Sequence, residues 1–202
     1  MAKRVNPITV VSSNFLALYT VELMINNLFS LSYSFTATDV ADKVVFKCEY
    51  LTFGRRVLLN AARKPILLFQ KKLLSFQHRW TVFKGNSLNS KDIIFITKGS
   101  PMIYPESLDV IMGNDKNQNF SHFKVKGDLF GESCTIHARD GNIIAKMHKK
   151  LTLGNEKYAL TVYPNVDQAF VVTLVLIMRL MREIDMYERL KARDDEGRRR
   201  DR

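Results

Sequence analysis

The side chains that could do chemistry in this chain are few and scattered. Its four histidines, His78, His122, His137 and His148, fall in different segments. Aligned on neighbouring strands, His122, His137 and His148 could ligate a metal ion. They lack carboxylates or cysteines at ligand spacing, so they read as solvated or hydrogen-bonded strand residues. Cys134 in "GESCTIH" has His137 three residues on, which invites a cysteine–histidine nucleophile. In an extended strand those two side chains point to opposite faces and cannot meet. Trp80, beside Arg79, could stack on a base, but a single tryptophan among strand aromatics belongs to a core. No GxSxG elbow, phosphate-binding loop, GxGxxG, HExxH or CxxC occurs. We therefore expect no enzyme, no metal and no cofactor.

What remains is positive charge. Lys71, Lys72, His78 and Arg79 cluster around "QKKLLSFQHRW"; Lys124 and Lys126 project from one segment, and Lys146, His148, Lys149 and Lys150 from another. Lysine and arginine clusters without acidic partners suit phosphate groups. Two carriers of phosphate fit. The first is an anionic phospholipid headgroup, such as a phosphoinositide, at a membrane surface. The alternative is nucleic acid, held by the same face and by the arginines of the tail, Arg198–Arg200. A merely solubilising basic surface is the plain alternative to both. Eight of these residues, Lys71, Lys72, Arg79, Lys124, Lys126, Lys146, Lys149 and Lys150, are the candidate anion-binding set.

The bulk numbers agree. The net charge is +11, and the tail from Arg182 to Arg202 contributes almost none of it, with eight basic and seven acidic residues. The field therefore belongs to the body of the protein and favours anionic partners. At 202 residues and 46% hydrophobic, the chain suits one domain with a proper core. Two cysteines are too few for a disulfide framework and fit a reducing compartment. Asn6, Pro7, Ser12 and Ser13 interrupt the start, so no signal-peptide core forms there. The sequon at Asn119 is then a coincidence. A cytoplasmic monomer, peripheral at the plasma membrane or nuclear, is the expectation.

The elements that must position the charges are strands. About twelve β-rich segments run from "ALYTVELM" (17–24) to "KYALTVY" (157–163), separated by turn residues. Short strands at such spacing mark an antiparallel sandwich or barrel. Alternation is cleanest in two of them. In "SHFKVKG", Phe123 and Val125 face one side, and Lys124 and Lys126 the other. In "IIAKMHKK", Ile143, Ala145 and Met147 share the apolar face, opposite Lys146, His148 and Lys150. "RDGN" (139–142) predicts a hairpin with a type I′ turn.

The segment "YPNVDQAFVVTLVLIMRLM" (163–181) is different. Its uninterrupted apolar stretch is about ten residues, where a spanning helix needs roughly 20. Asn165 is the expected N-cap, with Asp167 in the first turn. A helix that is apolar all round must be enclosed by protein. A barrel of more than about eight strands leaves a hole that a helix of roughly 10–12 Å diameter fills. The expected fold is therefore mostly β: a barrel of about twelve antiparallel strands enclosing a hydrophobic C-terminal helix. Residues 1–16 form an N-terminal arm, 17–181 one domain with the helix over about 165–181, and 182–202 a charged tail, helical at first and disordered over 193–202.

Three stretches, "KKLLSFQHRWTVFKG" (71–85), "FKVKGDLFGESCTIHARDGNIIAKMHKK" (123–150) and "YALTVYPNVDQAFVVTLVLIM" (158–178), resemble the LURP-one-related family of plants. The likeness covers roughly residues 17–180. It implies a tubby-like fold, a twelve-stranded barrel around a C-terminal helix, shared with phospholipid scramblases. It also implies a relation to membrane-tethered transcription regulators and to plant defence. Arg63-Lys64 stands where the family usually has Gly-Asn, and the loops before "RRVLLNAA" and over 150–157 are short.

Overall fold

The computed structural model describes residues 6–26, 34–72, 79–99, 107–113, 120–128, 132–150 and 157–200. Its strands are β1 (Val21–Asn26), β2 (Ser34–Thr38), β3 (Val44–Tyr50), β4 (Arg55–Asn60), β5 (Pro65–Lys71), β6 (Trp80–Lys84), β7 (Ile93–Gly99), β8 (Ser107–Met112), β9 (Phe123–Gly127), β10 (Ser133–Ala138), β11 (Ile143–Lys150) and β12 (Lys157–Val162). Each pairs antiparallel with its neighbours in sequence, and β12 pairs with β1 to close the barrel. Closure leaves no sheet edge unpaired.

The helix α1 (Gln168–Arg200) passes through the middle. Every residue from Ala169 to Met178 is at most 3% exposed. Ten successive residues point in all directions from a helix axis, so only a surrounding wall buries them all. Inward strand residues such as Leu23, Leu58, Leu67, Val125, Ile136 and Leu160 form one core with them. The rings of Phe95 and Phe123 stand edge-on to Phe170, at 5.3 and 4.8 Å between centroids. Trp80 is in this core against Phe69, as expected. No helix among the described residues is long and apolar enough to cross a membrane.

The helix start differs from expectation. Asn165 is not the cap: it has φ +63° in a turn, and the helix begins three residues later. Asp167 caps instead, its Oδ1 accepting the Phe170 N–H at 3.1 Å. Its other oxygen, Oδ2, accepts three successive N–H groups of the N-terminal arm, from Val10 (3.3 Å), Val11 (2.7 Å) and Ser12 (3.1 Å). Ile8 and Leu16 also bridge to Val166 and Asp167. Residues 6–16 thus close the entry end of the barrel, and Ala17 is buried with them while Leu18 and Tyr19 stay exposed. For that reason β1 begins at Val21 rather than near residue 17.

The tail is also corrected. α1 continues to Arg200, so 193–200 is helical rather than disordered. The costly nucleation step is already completed inside the barrel, so a segment with four arginines propagates the helix despite the weak helix formers Asp194, Asp195 and Gly197. At the exit end Arg179 is buried with its guanidinium 5.5 Å above the Tyr158 ring. Arg182 donates to the Asp128 carbonyl oxygen and lies 3.9 Å from its carboxylate.

The hairpin "RDGN" does not form a type I′ turn. Among its central residues only Gly141 has positive φ (+86°), and Ala138 and Asn142 close a three-residue loop. This is a type I turn followed by a left-handed residue. The same loop recurs at Asp39–Lys43 and Asn60–Lys64, with Asp42 (φ +59°) and Arg63 (φ +58°) at the left-handed position. The bulge that accompanies the third loop shifts the register between Ile136 and His137. Hence Ile144, not Ile143, is buried beside Ala145, and Ile143 is exposed.

Four substitutions test this geometry. Val175→Asp would put an unpaired carboxylate where exposure is zero; such burial costs several kcal/mol against a total stability of about 5–15 kcal/mol. The expected outcome is loss of near-UV circular dichroism and of a cooperative melt; a variant that melts cooperatively would show that the helix is not enclosed. Asp167→Ala should lower stability by roughly 3 kcal/mol, since hydrogen bonds to charged groups contribute about 1.5–3 kcal/mol each. The check is a lower denaturant midpoint, with faster proteolysis of residues 6–16. Arg63→Gly should raise stability by about 1 kcal/mol, the left-handed conformation costing a non-glycine residue about 1–3 kcal/mol and its exposed ion pair with Glu49 at 2.9 Å offsetting less than that. Gly141→Arg should do the reverse.

Candidate anion-binding site

The strand ladders decide which of the predicted cations share a surface. On β9, Lys124 and Lys126 are exposed and Val125 is buried. On β11, Lys146, His148 and Lys150 are exposed, alternating with the buried Ala145 and Met147. Lys126 pairs with Thr135 of β10, which pairs with Lys146 of β11, so one outward row carries Lys–Thr–Lys. The next row toward the entry end pairs Lys124 with His137, and toward the exit end Lys150 pairs with Lys157. The outward positions of β9–β12 therefore hold five lysines and two histidines and no carboxylate. Strands lie about 4.8 Å apart, so Lys126 and Lys146, two strands apart, stand roughly 10 Å from each other at the backbone on one basic face.

Two groups of predicted residues do not belong to this wall. Lys149 lies opposite Tyr158, on the inward-facing set of β11, and its Nζ is 3.5 Å from Glu132 Oε1. Strand alternation puts it one step out of phase with Lys146 and Lys150. Lys71, Lys72 and Arg79 sit at the meeting of β5 and β6, where the Lys72 N–H donates to the Arg79 carbonyl at 2.7 Å. In the closed order β5 lies six strands from β11, on the far side of a ring of twelve. Lys71 moreover pairs with the buried Trp80, facing the helix exit rather than the outer wall. His78 falls outside the described residues. The eight cations thus do not form one patch; the five that share an environment on the wall are Lys124, Lys126, Lys146, Lys150 and the unpredicted Lys157.

A shallow pocket of 280 Å³ lies at the β8–β10 side of the wall. Lys124, Lys126, His137 and Arg139 line it, with Ser121 and Asp109. Lys124 Nζ is 3.6 Å from Asp109 Oδ1. His137 is fixed by two contacts: Nδ1 lies 3.3 Å from the Gly141 carbonyl oxygen and Nε2 lies 2.9 Å from Thr135 Oγ1. A carbonyl oxygen only accepts, so Nδ1 carries a proton, while the Thr135 hydroxyl can serve Nε2 as donor or acceptor. Arg139 extends from the hairpin with its guanidinium 6.0 Å from the Phe120 ring. Sequence reasoning missed Arg139, although its turn was recognised. It also missed Lys157, which the period-two alternation of "KYALTVY" would have placed outward.

The nucleophile and metal readings can be placed as well. Cys134 faces the core while its neighbour in sequence His137 faces out, as strand alternation requires. Burial pushes the Cys134 thiol up to about 12 and raises that of Cys48 too, which makes both poor nucleophiles. His137 and His148 stand at different ladder levels, opposite Ile143 and Ser133. His122 is held separately, its Nδ1 accepting the Met112 N–H at 3.4 Å. The three do not converge.

Comparison with known proteins gives the lineage. A model of the LURP-one-related family matches residues 21–179, which span β1 to the buried part of α1. Protein LURP-one-related 15 of Arabidopsis thaliana is 37% identical over 155 residues, covering 72% of this chain and 71% of its own length. Protein LURP-one-related 10 of the same plant is 35% identical over 182 residues, covering 84% and 94%. Protein LURP1 is 32% identical over 155 residues. An X-ray structure of an Arabidopsis thaliana protein superposes with a TM-score of 0.69 at 32% identity, covering 84% of this chain and 96% of that one. The chain belongs to the LURP-one-related family.

Proposed function

We propose that the outer wall of β9–β12 binds the phosphate of an anionic phospholipid headgroup at a membrane surface, a phosphoinositide in the first instance. The observation that carries this is the row Lys126–Thr135–Lys146, flanked by Lys124–His137 and Lys150–Lys157, with no outward carboxylate on these strands. Each lysine near an anionic surface contributes about 1 kcal/mol, so four or five on one wall hold a peripheral protein. On this assignment the chain is a binding protein and not an enzyme. Its work is at the cytoplasmic face of the plasma membrane or in the nucleus, in the plant-defence setting implied by its family. The apolar stretch Ala169–Met178 plays no part as an anchor, because it is inside the barrel. The basic residues Lys71, Lys72 and Arg79 lie outside the contact.

Co-sedimentation with vesicles, with and without phosphoinositide, tests the assignment against duplex DNA under the same salt. Lys126→Glu/Lys146→Glu should weaken vesicle binding at least tenfold, since two reversed charges change the attraction by roughly 2 kcal/mol or more. Lys71→Glu/Lys72→Glu, on the far side of the barrel, should change it less than threefold. Binding that tolerates the wall variant overturns the proposal, and so does binding to DNA alone.

A further inference from the structure

A second and larger groove opens beside the basic pocket, at the entry end of the barrel, and its volume is 670 Å³. Its walls come from two sources. One is the arm, through Asn6, Ile8 and Val10, and the other is the ends of β8–β11, through Met112, Phe123 and Asn142. His122, Phe123, Ala138 and Arg139 line both the groove and the 280 Å³ pocket, so the two cavities share a wall. The pocket is cationic, with Lys124, Lys126 and Arg139 around it and Asp109 Oδ1 3.6 Å from Lys124 Nζ. Half of the residues facing the groove are apolar, Ile8, Val10, Met112 and Phe123 among them, and the other half are polar. A site of this size fits a small ligand rather than a flat membrane surface alone.

The two cavities were made in different ways, and this explains why they adjoin. The pocket follows from strand alternation and from the G1-type loop that swings Arg139 outward. The groove lies beside an arm that is held along residues 165–167, by the Asp167 carboxylate through the N–H groups of Val10, Val11 and Ser12 and by the backbone of Ile8, which bonds to Asn165 and Asp167. Residues 6–10 of the arm form one side of the groove, and the ends of β8–β11 form the other. Met112 and Phe123 remain only partly buried there. His122 sits at the junction; its Nδ1 accepts from the Met112 N–H, which leaves the proton of the neutral ring on Nε2 as a donor.

We infer that these adjoining cavities form one site for a single phosphorylated amphiphile, with the phosphate held by Lys124, Lys126 and Arg139 and an apolar chain laid under the arm against Ile8, Met112 and Phe123. This rests on the basic wall being a phosphate site, and it adds that the protein takes hold of an individual molecule. Charge complementarity selects the head, and the removal of chain methylenes from water, at about 0.8 kcal/mol each, strengthens the tail. Asp109 and Asp140 at the edges disfavour a ligand whose charge extends beyond the phosphate.

Titration calorimetry on the full chain with octyl phosphate, inorganic phosphate and octanol as probes tests this. Octyl phosphate should bind at least tenfold more tightly than either of the others. Arg139→Gln should weaken octyl phosphate and inorganic phosphate alike. Asn6→Trp, on the exposed arm, fills the groove without touching the core and should remove the advantage of octyl phosphate over inorganic phosphate. Met112→Trp fills it from the barrel side; its cooperative melt is checked first. Equal affinity for octyl phosphate and inorganic phosphate overturns the inference, as does an advantage that survives Asn6→Trp. Vesicle binding is measured on the same variants. If it persists in Asn6→Trp while the octyl advantage never appears, the surface assignment stands and the groove inference falls. If octyl phosphate binds as expected but vesicles do not, the membrane assignment falls and the amphiphile site stands.

Discussion

Two oxygens of one carboxylate organise the entry end of this barrel. Asp167 Oδ1 caps the central helix by accepting the Phe170 N–H, and Oδ2 gathers the N–H groups of Val10, Val11 and Ser12. The side chain is fully buried, yet all the donors around it belong to the backbone and to the positive end of the helix dipole. A buried carboxylate is tolerable only on such terms. Because residues 10–12 and residue 167 are far apart in sequence, this contact couples the first residues of the chain to the last element. The strands close the wall of the barrel but not its entry end: without the arm the helix start would open to water, and without the helix the arm would have nothing to hold.

The wall and the helix constrain each other in the same manner. Twelve strands leave a hole too wide for side chains alone, and an all-round apolar helix has no soluble alternative to being inside it. The fit is close where they part. A Cβ on Gly127 of β9 would come within 2.9 Å of the tips of both Arg182 and Met178 of the helix, so a side chain there would have to displace them. At this exit end the interior changes from apolar to ionic: Arg179 over Tyr158, Arg182 on Asp128, Lys149 near Glu132. Burial raises the Glu183 carboxyl there, with the nearby Arg179 and Arg56 opposing it. The inward cations serve this transition from barrel to water. Of the outward cations, Lys124 has a carboxylate beside it, Asp109 of β8 at 3.6 Å, where both side chains are nearly half exposed, whereas Arg179 and Arg182 are largely buried.

The sequence by itself determined the strand count, the enclosed helix and the outward direction of Lys124, Lys126, Lys146 and Lys150. These are local properties: period-two alternation fixes a face, and a helix apolar on every side fixes its surroundings. Lys149 was legible in principle from the same alternation and was misplaced by reading the run "KMHKK" as a block of charge. The turn at 139–142 was legible as a turn but not as its type, because Asp-Gly satisfies both a type I′ pair and the end of a type I loop. The choice between them lies in the bulge between Ile136 and His137, which depends on pairing.

Only the tertiary structure decided the rest. Which walls are neighbours is set by barrel closure, and closure puts β5 opposite β11, dividing one sequence-level set of cations into two distant groups. The cap moved from Asn165 to Asp167 because three of the donors that the carboxylate serves come from the arm, about 155 residues earlier in the chain. The pocket at Lys124 and Arg139 and the groove under the arm likewise arise where distant segments meet. The physical reason is the same in each case: alternation and propensity act over a few residues, whereas a cavity, a shared carboxylate or a surface patch is defined by chain segments that only the closed fold brings together.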